Sequence, residues 1–108
     1  MKHEDQDTVT ALSACLVSEF APERVVLFGS RAAGVARADS DFDLLVVART
    51  VDPLHRRLFR ARWSTRNVPV GRDILVVTPE EFAQFAAWPS SVVHEAVANG
   101  EVVYVRAA

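Results

Sequence analysis

The 108-residue sequence predicts an α/β fold in which a mixed β-sheet is covered by helices. Three observations predict it. Short apolar runs alternate with stretches of helical periodicity. Two of those runs, Asp41 to Val47 and Asp73 to Val77, each begin with an acid; if the acids are to meet, both strands present their N-terminal ends at the same edge, which makes them parallel and demands a crossover. The run ending at Phe28 must bring its C-terminal end to that place, so it runs antiparallel to both.

Asp7 and Thr8 are good helix-start residues, and apolar positions from Val9 to Phe20 recur at three and four, predicting an amphipathic helix over about 7–20 that Ala21-Pro22 ends. Arg24 to Phe28 reads as a buried strand, Ser30 to Gly34 as a short helix, and Val35 to Ser40 as a loop delivering the chain to the strand Asp41 to Val47. Pro53 opens the crossover helix, which runs to about Arg66, and Val68-Pro69-Val70-Gly71 is a turn before the strand Asp73 to Val77. Thr78-Pro79-Glu80-Glu81 combines an N-cap, a proline at the first helical position and first-turn acids, so a helix follows to about Trp88. Pro89-Ser90-Ser91 resets the chain for a helix from His94 to Asn99; Gly100 stops it, and Glu101 to Val105 is the last strand.

This length suits one domain, 1–108, with the core at about 24–105 and no room for a separate substrate domain. No apolar run approaches the roughly 20 residues that span a bilayer, and the polar start Met1-Lys2-His3-Glu4-Asp5 lacks the apolar core of a signal peptide. A cytoplasmic location, away from any membrane, is the expectation. A net charge of −2 and a pI near 5.9 give no global reason to bind nucleic acid, so direct DNA binding is not expected. Cys15 is the single cysteine, which excludes intrachain disulfides and multi-thiolate metal sites; its place among Val9, Leu12, Leu16 and Phe20 predicts a buried, inert thiol.

Two segments carry the chemistry. Asp41 and Asp43 lie at period-two spacing at the start of a strand, so both carboxylates share one face and offer hard oxygen ligands to a divalent cation. Gly29-Ser30 follows an apolar run and leads into a short helix-compatible stretch, where free backbone N–H groups would cradle phosphate. Metal plus phosphate points to nucleotide chemistry.

The pattern Gly29-Ser30-Arg31-Ala32-Ala33-Gly34, then Ser40-Asp41-Phe42-Asp43-Leu44, resembles the nucleotidyltransferase superfamily that includes DNA polymerase beta, and within it the minimal nucleotidyltransferases (MNT, MntA-like antitoxins). The resemblance implies the nucleotidyltransferase fold and an Mg²⁺-dependent enzyme, with two ions and ATP as substrate, that moves AMP to a hydroxyl and releases pyrophosphate. It implies that Asp41 and Asp43 hold the metals gripping the triphosphate, while Asp73 ligates the second metal and helps activate the acceptor hydroxyl. Gly29 would let the backbone approach the triphosphate and Ser30 would bind a phosphate oxygen. Arg31 pairs with phosphate or with a nearby acid, and Ser40 touches phosphate or supports Asp41 as a turn residue. In MNT-like proteins the acceptor is typically a HEPN-domain toxin, a ribonuclease silenced by AMP added to a tyrosine, which would make this chain the antitoxin of such a pair.

Two other readings remain at this level. One is an enzyme for a small hydroxyl substrate, similar to aminoglycoside nucleotidyltransferases, which carry an additional domain. The other is a binding module that neutralises its partner stoichiometrically without catalysis. A homo-oligomer is left open. Arg56, Arg57, Arg60, Arg62 and Arg66 crowd the crossover helix, opposite an apolar side of Leu54, Leu58, Phe59 and Trp63; they form a solvated face or a docking patch for an acidic or RNA-bearing partner. His3, His55 and His94 have no metal-ligand spacing, and Trp63 and Trp88 read as packing residues.

Overall fold

The structure, a computed structural model, describes residues 1–107. After a 3-10 turn at His3–Asp5 the elements run α1 (Gln6–Phe20), β1 (Arg24–Phe28), α2 (Gly29–Ala33), β2 (Phe42–Val47), α3 (Leu54–Ser64), β3 (Arg72–Val77), α4 (Pro79–Ala86), α5 (Val92–Asn99) and β4 (Glu101–Val105). The four strands form one sheet in the order β3-β2-β1-β4. β2 and β3 are parallel and joined by α3, whereas β1 is antiparallel to both its neighbours, β2 and β4. The mixed sheet follows the sequence expectation strand for strand.

Alternation along the strands sends side chains to two faces, and helices cover each. On one face Leu44, Val46, Ile74 and Val76 pack with Val9, Leu12, Leu16 and Phe20 of α1 and Ala61 of α3. On the other, Val26, Leu45, Val47 and Val77 pack with Val93 and Ala96 of α5, flanked by Phe82 and Phe85 of α4. Both layers are small. No helix among the described residues is long and apolar enough to cross a membrane.

Several details differ from the sequence expectation. α1 begins at Gln6, ahead of Asp7, because the chain enters it through the 3-10 turn; Asp5 occupies the N-cap position but its carboxylate makes no capping bond. Cys15 is half-buried rather than enclosed, since the buried stripe runs through Val9, Leu12, Ser13, Leu16 and Phe20 and leaves it to one side. α3 ends at Ser64, where the buried Thr65 turns its hydroxyl back to the Ala61 carbonyl at 2.8 Å. The apolar side expected of α3 is not core: only Ala61 is buried, and Leu54, Leu58, Phe59 and Trp63 face solvent. α4 stops at Ala86, and α5 starts at Val92 because the Ser91 hydroxyl accepts the His94 N–H at 3.0 Å.

Candidate active site

Three chain segments converge at one end of the sheet. β2 and β3 start there and β1 ends there, with Asp43 in register with Phe28 on one side and with Asp73 on the other. Paired residues of parallel strands point to the same face, so Asp43 and Asp73 share the face that bears Leu45 and Val77, which α4 and α5 cover farther along. Asp41 precedes β2 immediately and is exposed, as is Asp73, while Asp43 is half-buried between them.

Two glycines close on the acids. Gly29, at φ +71°, follows the last residue of β1, and a Cβ built there would land on the Asp43 carboxylate. A Cβ on Gly71 would land on the Asp41 carboxylate, beside the bond from the Phe42 N–H to the Gly71 carbonyl at 2.9 Å. Each carboxylate thus lies against bare backbone, a cradle that any larger side chain would fill.

Burial pushes the Asp43 carboxyl above its ordinary value of 3.8, and the negative charges of Asp73, Asp41 and Glu95 push it further the same way. Among the described residues no three His, Cys, Asp or Glu side chains are grouped so that they could together hold a metal ion. The donor set is nevertheless a row of hard carboxylate oxygens whose mutual repulsion a divalent cation would relieve. Carboxylate oxygens of this kind are the donors that Mg²⁺ takes.

Of the two partners that the sequence leaves open for Arg31, a phosphate or a nearby acid, the structure supplies the acid. Its guanidinium is buried, lies 3.1 Å from the Asp5 carboxylate and donates to the carbonyls of Ser40 and Ala38. This places Arg31 behind the Asp41 loop, where, among the described residues, its hydrogen bonds go to Asp5, Ala38 and Ser40. Ser40 turns its hydroxyl to the Arg37 N–H at 2.9 Å and so supports the turn. Ser30 sits on the first turn of α2, next to Gly29.

The sequence matches the family "Polymerase beta, Nucleotidyltransferase" over residues 11–108. The chain belongs to that nucleotidyltransferase family. Among solved structures, a protein of Sulfolobus solfataricus provisionally assigned as a nucleotidyltransferase superposes with a TM-score of 0.64 at 21% identity, covering 93% of this chain and 79% of that one. A toxin-antitoxin structure with AMP-PNP superposes with a TM-score of 0.67 at 18% identity, covering 90% of this chain and 73% of that one. At those identities the likeness is one of fold. No curated protein matches the sequence.

Sequence reasoning missed three residues here. Gly71 read only as part of a turn, because nothing local says that Asp41 will lie over it. Glu95 belongs to no motif and reaches the site's field through the packing of α5 against α2. Asp5 looked like an ordinary N-terminal acid; its burial against Arg31 was the hidden feature.

Proposed function

We propose that this chain is an Mg²⁺-dependent nucleotidyltransferase that transfers AMP from ATP to a hydroxyl of a partner protein, releasing pyrophosphate, and that it is the antitoxin of a pair whose toxin carries a HEPN domain. One observation carries the transferase reading: the in-register pairing of Asp43 and Asp73 at the sheet end where Gly29 closes on Asp43. Family membership supports nucleotidyl transfer, and a structural relative described as a toxin-antitoxin with AMP-PNP supports both the adenine nucleotide and the partner. The HEPN partner and the protein hydroxyl come from the resemblance of the motif to the minimal nucleotidyltransferases.

Asp41 and Asp43 would hold the metal that grips the triphosphate and Asp73 would ligate a second ion on the acceptor side; when bound, the ions supply positive charge to the triphosphate and to the developing charge of the transition state. Gly29, having no Cβ, lets the Asp43 carboxylate and the phosphate it serves lie close to the backbone, and the Ser30 hydroxyl and N–H would bind a phosphate oxygen. The acceptor oxygen bonds the α-phosphorus as the bond from that phosphorus to the bridging oxygen breaks. The electron pair leaves with pyrophosphate, and the hydroxyl proton passes to the Asp73 carboxylate. Most of the acceleration comes from positioning these partners in line.

The test is transfer of label from α-labelled ATP to the protein that copurifies with this chain. Label on that protein, dependent on Mg²⁺ and lost in Asp43→Asn, is the expected result. Full protection of the partner only at equimolar ratio, with no label transferred, would mean that the chain acts as a stoichiometric binding module.

A further inference from the structure

We infer that the outer face of α3 is a docking surface for an acidic amphipathic helix of a partner protein, seated beside Asp73. This rests on the reading of the chain as a transferase with a protein acceptor and says how that acceptor is held.

Charge is the first observation. Six arginines lie between Pro53 and Arg72 with no Asp or Glu among them, in a chain whose net charge is −2. The remaining six cationic residues share the rest of the chain with all fourteen acids. Arg57 and Arg60 are consumed by ion pairs with Glu81, Glu19 and Asp52. Arg56, Arg62 and Arg66 make no ion pair among the described residues.

The unpaired arginines are interleaved with exposed apolar side chains. Phe59 and Trp63, one helical turn apart, are 66% and 57% exposed, and their rings lie parallel with centroids 6.3 Å apart. Arg66 lies over the Trp63 ring at 4.2 Å. Leu54 and Leu58, also one turn apart and exposed, line a groove that reaches Asp73. A helix that buries only Ala61 and shows solvent four large apolar residues has a surface suited to a partner.

The geometry also selects the kind of partner. β3 is an outer strand, but Arg57 donates to the Val76 carbonyl at 3.2 Å and Arg62 to that of Arg72 at 3.5 Å, so its free edge is partly capped against an added strand. Ridges spaced four residues apart on α3 suit another helix. A nucleic acid fits less well, because the aliphatic lining of the groove, Leu54 and Leu58, offers a phosphate backbone nothing. Acidic side chains flanking an apolar stripe match both parts of the surface.

The experiment uses the full chain and three labelled probes at physiological ionic strength: two helical peptides with the same leucine stripe, flanked by glutamate in one and by lysine in the other, and oligouridylate. Two variants accompany the wild type, Arg56→Glu/Arg62→Glu/Arg66→Glu and Phe59→Ala/Trp63→Ala, both confined to exposed side chains. The expected result is binding of the glutamate peptide alone, weakened roughly tenfold or more in each variant, with Mg-ATP affinity unchanged in both. The inference is overturned if the glutamate peptide fails to bind or binds wild type and variants alike, if oligouridylate is the preferred probe, or if the surface proves to hold a second copy through self-association that the variants abolish. If the wild type fails to bind Mg-ATP while the peptide result holds, the transferase reading falls and the docking surface stands.

Discussion

The Arg31 guanidinium lies 3.1 Å from the buried Asp5 carboxylate, donates to the Ser40 carbonyl at 2.7 Å and stacks 4.2 Å from the centre of the Phe42 ring. It therefore joins the N-terminal turn to the residues on either side of Asp41. The loop that carries the first acid is held from behind by one side chain.

Removing the arginine alone leaves a carboxylate buried without its partner. Arg31→Met is expected to cost about 3–5 kcal/mol in urea unfolding, and Arg31→Met/Asp5→Leu to recover most of that loss. A single variant as stable as wild type would show that the pair does not brace this loop.

Gly29 and Gly34 provide a matched comparison. Both have positive φ, +71° and +75°, so alanine at either costs about 1–2 kcal/mol of backbone strain. Only at Gly29 does the new Cβ run into Asp43; at Gly34 nothing lies within 4 Å. Gly29→Ala should therefore lose Mg-ATP binding by calorimetry, roughly tenfold or more, while Gly34→Ala keeps it with a similar drop in melting temperature. Equal affinity in the two variants would refute the close approach at Gly29.

The sheet was legible because its signals are local. Arg24–Phe28 and Glu101–Val105 are apolar runs bounded by turn residues, and Asp41 and Asp43 announce a carboxylate face through the two-residue period of a strand. What was not legible depends on which surface meets which. Leu54, Leu58, Phe59 and Trp63 have the spacing of a core stripe, but α3 packs through Ala61, with Thr65 buried just past its end, and turns them outward. Arg31 reads equally well as a phosphate ligand or an ion-pair partner until Asp5, 26 residues away in sequence, is placed beside it. Gly71 and Glu95 entered the site through tertiary packing alone.

Glu81 gives a pH signature independent of the acids. Its carboxyl is held below the usual 4.5, first by the hydrogen bond from Arg57 and then by the Thr78 backbone N–H. Between that lowered value and 4.5 the unfolded chain binds more protons than the native one, so stability rises with pH through the window. The contribution is fully present above about 4.5 and disappears as pH falls through the native value. Glu81→Gln should therefore have a lower denaturant midpoint than wild type at neutral pH, with the gap closing in acid. A gap that stays constant with pH would mean that the charge of Glu81 does not carry the effect.

The last prediction separates the roles of the acids. Asp43 is crowded by Asp73 and Asp41, so Asp43→Asn or Asp73→Asn should leave the metal-free protein as stable as wild type or more so. Function should divide differently. Asp41, cradled against Gly71, serves the nucleotide's metal, whereas Asp73 opens its own strand beside the groove of α3 and serves the acceptor. Asp41→Asn is then expected to impair both Mg-ATP affinity and transfer, and Asp73→Asn to lower single-turnover transfer strongly while leaving affinity nearly intact. A loss confined to the chemical step is what removal of a contact made only in the transition state produces. Calorimetric titration of both variants with ATP, with Mg²⁺ and with a chelator, beside single-turnover rates, makes the comparison. An Asp73→Asn protein with unimpaired turnover would show that another group receives the acceptor's proton.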